Sequence, residues 1–291
     1  MKIGIVIATY KRATLVGALL NSIQSQSRSP DEVVISAVEP TDVPELSELS
    51  FPLKVLLGQP GSCRQRNSGI EYLCGRVDVI LFLDDDFWMA KSYLAELDQL
   101  LSSDDSIVGT TGRVIADGAT TAGFSVAQAE IMLRNHQLKV GRQPPLTVEV
   151  PDTYGCNMAF RMTSIGKIRF DERLPLYGWQ EDVDFSAQIR KAGRLVKADA
   201  TWGIHLGTKM GKTSGLRFGY SQVVNPLYVY KKGNMKLSAA GLLVLRNIAA
   251  NMVKSAYPEP YIDRRGRLRG NLIALAHVLR GHWDPGFVLE M

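Results

Sequence analysis

The stretch "ILFLDDDF", residues 80–87, decides the fold and the position of its site. An apolar run that ends in three adjacent carboxylates is typical of a buried strand with ligands at its carboxyl end. Residues i and i+2 of an extended segment face the same way, so Asp84 and Asp86 converge and Asp85 faces away. Mg²⁺ and Mn²⁺ prefer such oxygen ligands, which predicts a divalent-cation site. The alternative is a solvated loop that caps the next helix.

Apolar strands and amphipathic helices alternate on both sides of this stretch. The run "IGIVIA", residues 3–8, begins the pattern, and residues 90–103 follow the triplet as an amphipathic helix. This alternation predicts an α/β fold with a mostly parallel, doubly wound sheet, in which ligands bind beyond the carboxyl ends of the strands. Further strands are predicted at residues 31–37, 53–58, 77–83, 106–112, 154–161 and 194–205, and further helices at 12–26, 61–75 and 178–193.

Composition and charge limit the class of protein. Of 291 residues, 45% are hydrophobic and 22% charged, as in a soluble globular chain with a sizeable core. Three cysteines without CxxC spacing favour a reduced, cytoplasmic compartment. The net charge of +5 is uneven, because residues 231–291 hold ten Lys or Arg and only four acidic residues. Such a basic segment favours an anionic surface as partner.

Two segments of this basic region combine arginine or lysine with apolar residues. Residues 237–257 and 264–283 suit helices that lie on an anionic membrane surface. The alternative is helices packed on the domain with their charges in water. No nucleic-acid motif is present, so we expect no nucleic-acid partner.

Five motifs occur in a fixed order along residues 1–210: "ATYKR", "RQRNSGI", "ILFLDDDF", "GCNMAFR" and "GWQEDVDFSAQIRKAG". Together they resemble the GT-A glycosyltransferases of family 2, which are inverting and depend on nucleotide sugars. The resemblance implies a GT-A catalytic domain at residues 1–215, followed by a basic, amphipathic helical extension at residues 216–291. It implies transfer of a hexose-type sugar from a nucleotide diphosphate sugar, with UDP as the expected nucleotide, to a saccharide acceptor.

The resemblance also implies roles for single residues. Asp182 is the expected catalytic base, and Asp86 and His205 are the expected ligands of Mn²⁺ or Mg²⁺; a purely structural histidine is the alternative at 205. Where relatives carry an aspartate after the second strand, this chain has Ser36, with Glu39 three residues later. The expected donor-binding residues are Thr9, Tyr10, Arg12, Glu39, Arg66, Asn67, Asp84, Asp85 and Lys212, and the expected acceptor contacts are Asn157, Trp179 and Glu181.

The physics of the reaction supports Asp182 independently. An inverting transfer needs a base that takes the proton of the acceptor hydroxyl as its oxygen attacks the anomeric carbon. Glu181, Asp182 and Asp184 stand at a predicted helix start, where the helix dipole favours ionised carboxylates. The alternative is that these acids serve only the helix. Trp179 precedes them and suits either stacking on an acceptor sugar or packing in the core.

The basic extension completes the expected function. It favours a lipid-linked saccharide acceptor, as in bacterial exopolysaccharide assembly, and a peripheral position at the inner face of the plasma membrane. Asp85, which faces away from the cation, is the acid expected to tolerate replacement best. Two other functions remain open: a sugar-phosphate nucleotidyltransferase, although "ATYKRAT" lacks the glycine-rich loop of that class, and a non-catalytic sugar-nucleotide-binding protein.

Overall fold

A computed structural model of the chain describes residues 1–45, 48–139, 146–209 and 214–291. It divides into two compact units, the first formed by residues 1–60, 64–169 and 189–211 and the second by residues 61–63, 170–188 and 212–291. The strands are β1 (Ile3–Ala8), β2 (Glu32–Ala37), β3 (Leu53–Leu57), β4 (Val79–Asp84), β5 (Phe87–Met89), β6 (Ile107–Asp117), β7 (Thr147–Glu149), β8 (Asn157–Arg161) and β9 (Arg194–His205). The helices are α1 (Ala13–Gln24), α2 (Ser62–Leu73), α3 (Tyr93–Ser103), α4 (Val126–Gln137), α5 (Met162–Ile165), α6 (Glu181–Ile189), α7 (Gly215–Lys231), α8 (Leu237–Lys254) and α9 (Arg264–Leu279).

The first unit is built on one sheet with the strand order β3-β2-β1-β4-β8-β6-β9-β5, in which β7 also pairs with β9. Strands β3, β2, β1 and β4 are mutually parallel, and β6 is parallel to β9. Strand β8 is antiparallel to both of its neighbours, and β5 and β7 are antiparallel to β9. The predicted α/β class with its parallel strands is confirmed, whereas the sequence did not indicate the antiparallel additions.

The central strands are apolar on both faces because helices cover them. Every residue of β1 from Ile3 to Ile7 is buried, and α1 supplies Val16, Leu19 and Ile23 to the same core. Burying one such side chain fully stabilises the fold by about 1.5–3 kcal/mol. This double coverage explains why β1 reads as a continuous hydrophobic run rather than an alternating one.

Strand register brings the chemically active residues to one edge of the sheet. Ala8 pairs with both Ser36 and Asp84, so β1, β2 and β4 end together. His205, at the end of β9, pairs with Asp117 of β6 and with Phe87, which follows the acidic triplet. The β6–β9 register contains three irregularities. Strand β6 ends at Asp117, five residues beyond its predicted end at residue 112.

Gly118, which follows Asp117, and Gly207, which lies two residues after His205, allow the two backbones to approach each other closely. A Cβ atom on Gly118 would lie 2.0 Å from the carbonyl oxygen of Leu206, and one on Gly207 would lie 2.0 Å from the carbonyl carbon of Gly118. Gly207 also has a φ of +66°, which side chains rarely adopt. The segments after β6 and β9 are therefore held together backbone against backbone.

The second unit packs α7 against α9 at very short range. A Cβ atom on Gly219 would lie 2.1 Å from the Arg267 carbonyl oxygen, and one on Gly270 would lie 2.1 Å from the Leu216 carbonyl oxygen. Its core is apolar, with a buried amide network between the three helices. Among the helices of the described ranges, none combines the length and apolar character needed to span a bilayer.

Candidate active site

Two carboxylates and an imidazole converge at the carboxyl edge of the sheet. Asp84, Asp86 and His205 each offer one ligand atom, and these atoms all lie within 4.8 Å of one another. The predicted convergence of Asp84 with Asp86 is confirmed, and His205 joins them. Two oxygen donors and one nitrogen donor fit a divalent cation of the Mn²⁺ type, with room for phosphate oxygens or water to complete the shell.

His205 lies between two carboxylates. Its Nε2 atom is 3.3 Å from Asp86 Oδ1, and its Nδ1 atom is 2.9 Å from Asp117 Oδ1. Burial alone would lower the pKa of His205, but the hydrogen bonds to Asp117 and Asp86 raise it to about 10. The two flanking carboxylates therefore favour the protonated form of the His205 ring.

Asp86 is further fixed by the segment that follows β9. The Thr208 amide donates to Asp86 Oδ2 at 2.8 Å, and the Leu206 amide donates to the Asp86 carbonyl oxygen at 2.9 Å. Burial acts to raise the pKa of Asp86, but the hydrogen bond and charge of His205 lower it overall. Asp86 therefore stays ionised, as a ligand of a hard cation must.

Asp84 is paired with Arg66 of helix α2. An Arg66 Nη2 hydrogen bond reaches Asp84 Oδ1 at 2.9 Å, and the same nitrogen donates to the Gly155 carbonyl oxygen at 3.1 Å. Burial raises the pKa of Asp84, and the positive charge of Arg66 opposes that rise. The structure thus brings Arg66 to the predicted place, and Asn67 follows it as a buried residue. Donor contact by these two residues stays a prediction.

Asp85 faces the opposite way, as the alternation of an extended segment predicts. Its Oδ1 atom accepts from Arg12 Nη1 at 2.6 Å and its Oδ2 atom from Thr9 Oγ1 at 2.8 Å. Burial raises the pKa of Asp85 to about 6 even though Arg12 acts to lower it. The expectation that Asp85 tolerates replacement best needs correction, because this carboxylate is the buried partner that holds Arg12 in the site.

Asp42, which was not predicted from the sequence, is hydrogen-bonded to both loops that carry Tyr10 and Glu39. Asp42 is 1% exposed and accepts from the amides of Lys11 at 2.7 Å and Glu39 at 2.9 Å. Lys11 has a φ of 57°, so this bond supports an unusual turn after β1. Tyr10 and Glu39 themselves are exposed at this edge. "PTD" directly after a strand is the only signal that marks Asp42 in advance.

Asn157 has a different role from the predicted acceptor contact. It is fully buried, and its Oδ1 atom accepts from Thr111 Oγ1 at 2.7 Å and from the Gly112 amide at 2.8 Å. It joins β8 to β6 inside the sheet and exposes no surface to an acceptor. Its Nδ2 atom is buried without a hydrogen-bond partner among the described residues. This burial disfavours contact between Asn157 and an acceptor, which stays a prediction.

The remaining assignments lie in the second unit. Trp179 packs edge-on against Phe218, with ring centroids 5.2 Å apart, and its carbonyl oxygen accepts from Asn225 at 2.9 Å. Trp179 thus packs within the second unit and keeps part of its surface exposed, so its contact with an acceptor stays a prediction. Lys212 lies outside the described residues.

The three acids at the start of α6 differ in their surroundings. Asp184 is fully buried and forms an ion pair with Lys232 at 2.7 Å. Glu181 is buried as well, whereas Asp182 is half-exposed and its Oδ1 atom accepts from the Val183 amide at 2.9 Å. Of the three, Asp182 therefore has the most surface available to a substrate.

A parallel sheet whose acidic carboxyl edge gathers two aspartates and a histidine has the architecture of a GT-A glycosyltransferase. Residues 4–169, which make up more than half of the chain, match the family described as Glycosyl transferase family 2. The protein belongs to this family. No curated protein matches the chain.

Similar solved structures are glycosyltransferases. PcManGT, a mannosyltransferase from Pyrobaculum calidifontis in complex with GDP-Man and Mn²⁺, has a TM-score of 0.56 and 14% identity over 97% of this chain and 87% of its own. TarS of S. aureus has a TM-score of 0.51 and 17% identity over 88% of this chain, which spans 44% of the length of TarS. GalNAc-T7 with UDP, GalNAc and Mn²⁺ has a TM-score of 0.52 and 15% identity over 97% of this chain and 58% of its own. At these identities the likeness shows the fold.

Replacing Asp85 by Asn should destabilise the protein strongly. The substitution removes the nearer of the two carboxylates that pair with Arg12, whose side chain is only 15% exposed, and leaves Asp86 at 3.9 Å. Breaking a buried ion pair from one side costs about 3 kcal/mol of the free energy of unfolding, measured by urea denaturation. Asp105→Asn is the matched control, because the Asp105 side chain is 99% exposed and its pair with Arg161 is worth at most about 0.5 kcal/mol. Equal stability of the two variants would contradict the role given to Asp85.

Proposed function

We propose that this protein is a metal-dependent, inverting glycosyltransferase that moves a hexose-type sugar from a nucleotide diphosphate sugar to a saccharide acceptor. The observation that carries the proposal is the group of Asp84, Asp86 and His205 at the sheet edge of a family 2 chain. The similar structures whose names include GDP-Man with Mn²⁺ and UDP with Mn²⁺ support a nucleotide-sugar donor. UDP is the proposed nucleotide.

Asp86 and His205 are the proposed ligands of Mn²⁺ or Mg²⁺, with Asp84 beside them. A bound divalent cation supplies positive charge that stabilises the departing nucleoside diphosphate. The imidazole nitrogen in the donor set favours Mn²⁺, since Mg²⁺ prefers oxygen ligands throughout. Arg66 keeps Asp84 compensated before the donor arrives, because it remains hydrogen-bonded to that carboxylate at 2.9 Å.

The turn after β1 is the proposed nucleoside side of the site. Thr9 and Arg12 are held there by Asp85, and Tyr10 and Glu39 are exposed beside them on loops that Asp42 joins. An arginine held in this way presents its charge in one orientation, so less side-chain entropy is lost when a phosphate binds. Lys212 is proposed as a further cation for the diphosphate.

Asp182 is the proposed catalytic base. It takes the proton from the acceptor hydroxyl while that oxygen attacks the anomeric carbon from the face opposite the leaving diphosphate. Attack from that face inverts the anomeric configuration, so an α-linked donor gives a β-linked product. Glu181 and Trp179, its neighbours in the chain, are the proposed acceptor contacts.

Binding of nucleotide sugars in the presence of Mn²⁺ tests the function directly. Ligand that binds only the folded state raises the melting temperature by mass action. We expect UDP and UDP-sugars to raise it with Mn²⁺ and to have little effect after the metal is removed with EDTA, in a thermal-shift panel that includes GDP and GDP-mannose. A panel without any shift would contradict donor binding. Release of pyrophosphate instead of nucleoside diphosphate in a turnover assay would indicate a nucleotidyltransferase.

Replacing Asp182 by Asn should abolish most of the transfer while donor binding persists. A general base contributes a factor of about 10² to 10⁴ in rate, so kcat should fall by that factor with the donor-induced thermal shift unchanged. Asp263→Asn is the control, because Asp263 also begins a helix of the second unit, where it accepts from the Gly266 amide at 2.7 Å. Near-normal transfer by the Asp182 variant would refute the base assignment.

The acceptor is proposed to be lipid-linked, with the protein peripheral at the inner face of the plasma membrane in exopolysaccharide assembly. Helix α8 supports this proposal because it exposes large apolar side chains along its length: Leu242, Leu245, Met252 and Val253. Lys236, Arg246 and Lys254 are exposed on or beside the same helix. An amphipathic helix of this composition binds anionic lipid surfaces through buried apolar area and charge attraction.

Removing two of these leucines should weaken vesicle binding. The double variant Leu242→Ser/Leu245→Ser is expected to bind vesicles of phosphatidylglycerol at least about 30-fold more weakly in a sedimentation assay. Each exposed leucine contributes at least about 1 kcal/mol through apolar burial, and about 2 kcal/mol corresponds to that factor. Ile131→Ser on α4, where Ile131 is 50% exposed, is the control and should bind normally. Wild-type protein that stays in solution with these vesicles would contradict membrane association.

A further inference from the structure

Among the described residues, His205 is the member of the candidate metal site to which Asp117 is hydrogen-bonded. The two residues are paired neighbours at the ends of the parallel strands β6 and β9. Asp117 Oδ1 is 2.9 Å from His205 Nδ1, the ring nitrogen on the far side from Asp86. Asp117 does not belong to the group of three ligand atoms that lie within 4.8 Å of one another.

The Asp117 carboxylate is itself held in one orientation. Tyr154 Oη donates to Asp117 Oδ2 at 2.9 Å, and the Ala119 amide donates to Asp117 Oδ1 at 2.8 Å. The Tyr154 ring also stands edge-on to the His205 ring, with centroids 6.0 Å apart and an interplanar angle of 87°. Hydrogen bonding and ring packing thus restrict the same imidazole from two directions.

An imidazole ligates a metal through one nitrogen only when the proton of the neutral ring is on the other. A carboxylate that accepts from Nδ1–H fixes that tautomer, leaves the Nε2 lone pair for the cation and makes the ligand more basic. Without the carboxylate, the ring can rotate or carry its proton on Nε2, and both changes remove the ligand. This chemistry applies to His205, whose Nε2 atom faces Asp86.

We propose that Asp117, oriented by Tyr154, is a positioning residue that holds the His205 ring with Nε2 directed at the metal site. The inference rests on the proposed metal dependence of the enzyme. It assigns the strength of metal binding in part to two side chains that do not contact the cation. Sequence reasoning could not reach Asp117, because its pairing with His205 depends on three register irregularities in β6 and β9.

A double-mutant cycle on Mn²⁺ affinity tests the proposal. Mn²⁺ is titrated into the full chain in the presence of UDP, and free Mn²⁺ is measured by electron paramagnetic resonance. Asp117→Ala should weaken Mn²⁺ binding about 10- to 100-fold, the usual effect of losing a carboxylate behind a histidine ligand. In the His205→Ala background, Asp117→Ala should change the affinity by less than about twofold, because its effect passes through the ring.

Two outcomes would overturn the proposal: wild-type affinity in Asp117→Ala, or an equal loss with and without His205, which would indicate a general effect of charge. Asp199→Ala is the control, since Asp199 on β9 is a carboxylate of the same unit that pairs with Arg113 at 3.5 Å, and it should retain wild-type affinity. Should Asp117→Ala fail to fold, Tyr154→Phe provides the cycle. It removes one hydrogen bond to Asp117 and should weaken Mn²⁺ binding about threefold, only when His205 is present.

Nitrogen NMR of the histidine rings separates this proposal from the proposed function. The sequence has four histidines, and His205→Ala identifies the signal of His205. Its Nδ1–H proton should appear as a hydrogen-bonded, slowly exchanging resonance in the wild type and vanish in Asp117→Ala. If wild-type protein bound no Mn²⁺ at all, the proposed metal dependence would be refuted. The Nδ1–H signal would still test the positioning role of Asp117, because its persistence in Asp117→Ala would overturn that role.

Discussion

Compensation of three adjacent carboxylates, of which Asp85 and Asp86 are buried and Asp84 is half-buried, is the constraint on which the site depends. Each acid has a basic partner from a different element: Asp84 pairs with Arg66 of α2, Asp85 with Arg12 before α1, and Asp86 with His205 of β9 and, at 3.9 Å, with Arg12 as well. Unpaired charges at this depth would cost several kcal/mol each. Alternation along the strand makes this arrangement possible, because it directs the middle acid to the opposite side from its neighbours. The triplet thus contains two candidate metal ligands, Asp84 and Asp86, and one acid, Asp85, that holds the turn after β1.

The sequence predicted what depends on local pattern. The boundaries of β1 and β9, the convergence of Asp84 with Asp86 and the opposite direction of Asp85 all follow from apolar runs and a two-residue period. The pairing of Asp117 with His205 could not be predicted, since it depends on a strand register interrupted by three irregularities. The inter-strand role of Asn157 could not be predicted, because a buried amide that joins two strands and an amide that contacts a ligand look alike in sequence. Asp85 was underrated because its partners lie more than 70 residues away.

The second unit shows the same division between pattern and packing. The helical pattern of the last third of the chain predicts α7, α8 and α9. The glycines that bring α7 against α9 can be recognised as contact positions only once the two helices are aligned. The three acids at the start of α6 look equivalent in sequence but differ in their surroundings. Asp184 forms an ion pair with Lys232, whereas Asp182 is half-exposed. Burial, rather than residue type, distinguishes an acid that stabilises the fold from one that can accept a proton.

The close backbone contact between Gly118 and Gly207 holds the segment after β9 next to the site. Beyond this contact, the Thr208 amide donates to Asp86, and Lys209 donates to the carbonyl oxygen of Gly118. Because the two backbones are in contact, neither segment can shift without the other. The Thr208 and Leu206 amides both donate to Asp86, and His205 directly precedes them in the chain. The path of this one segment therefore sets the positions of two candidate metal ligands, Asp86 and His205.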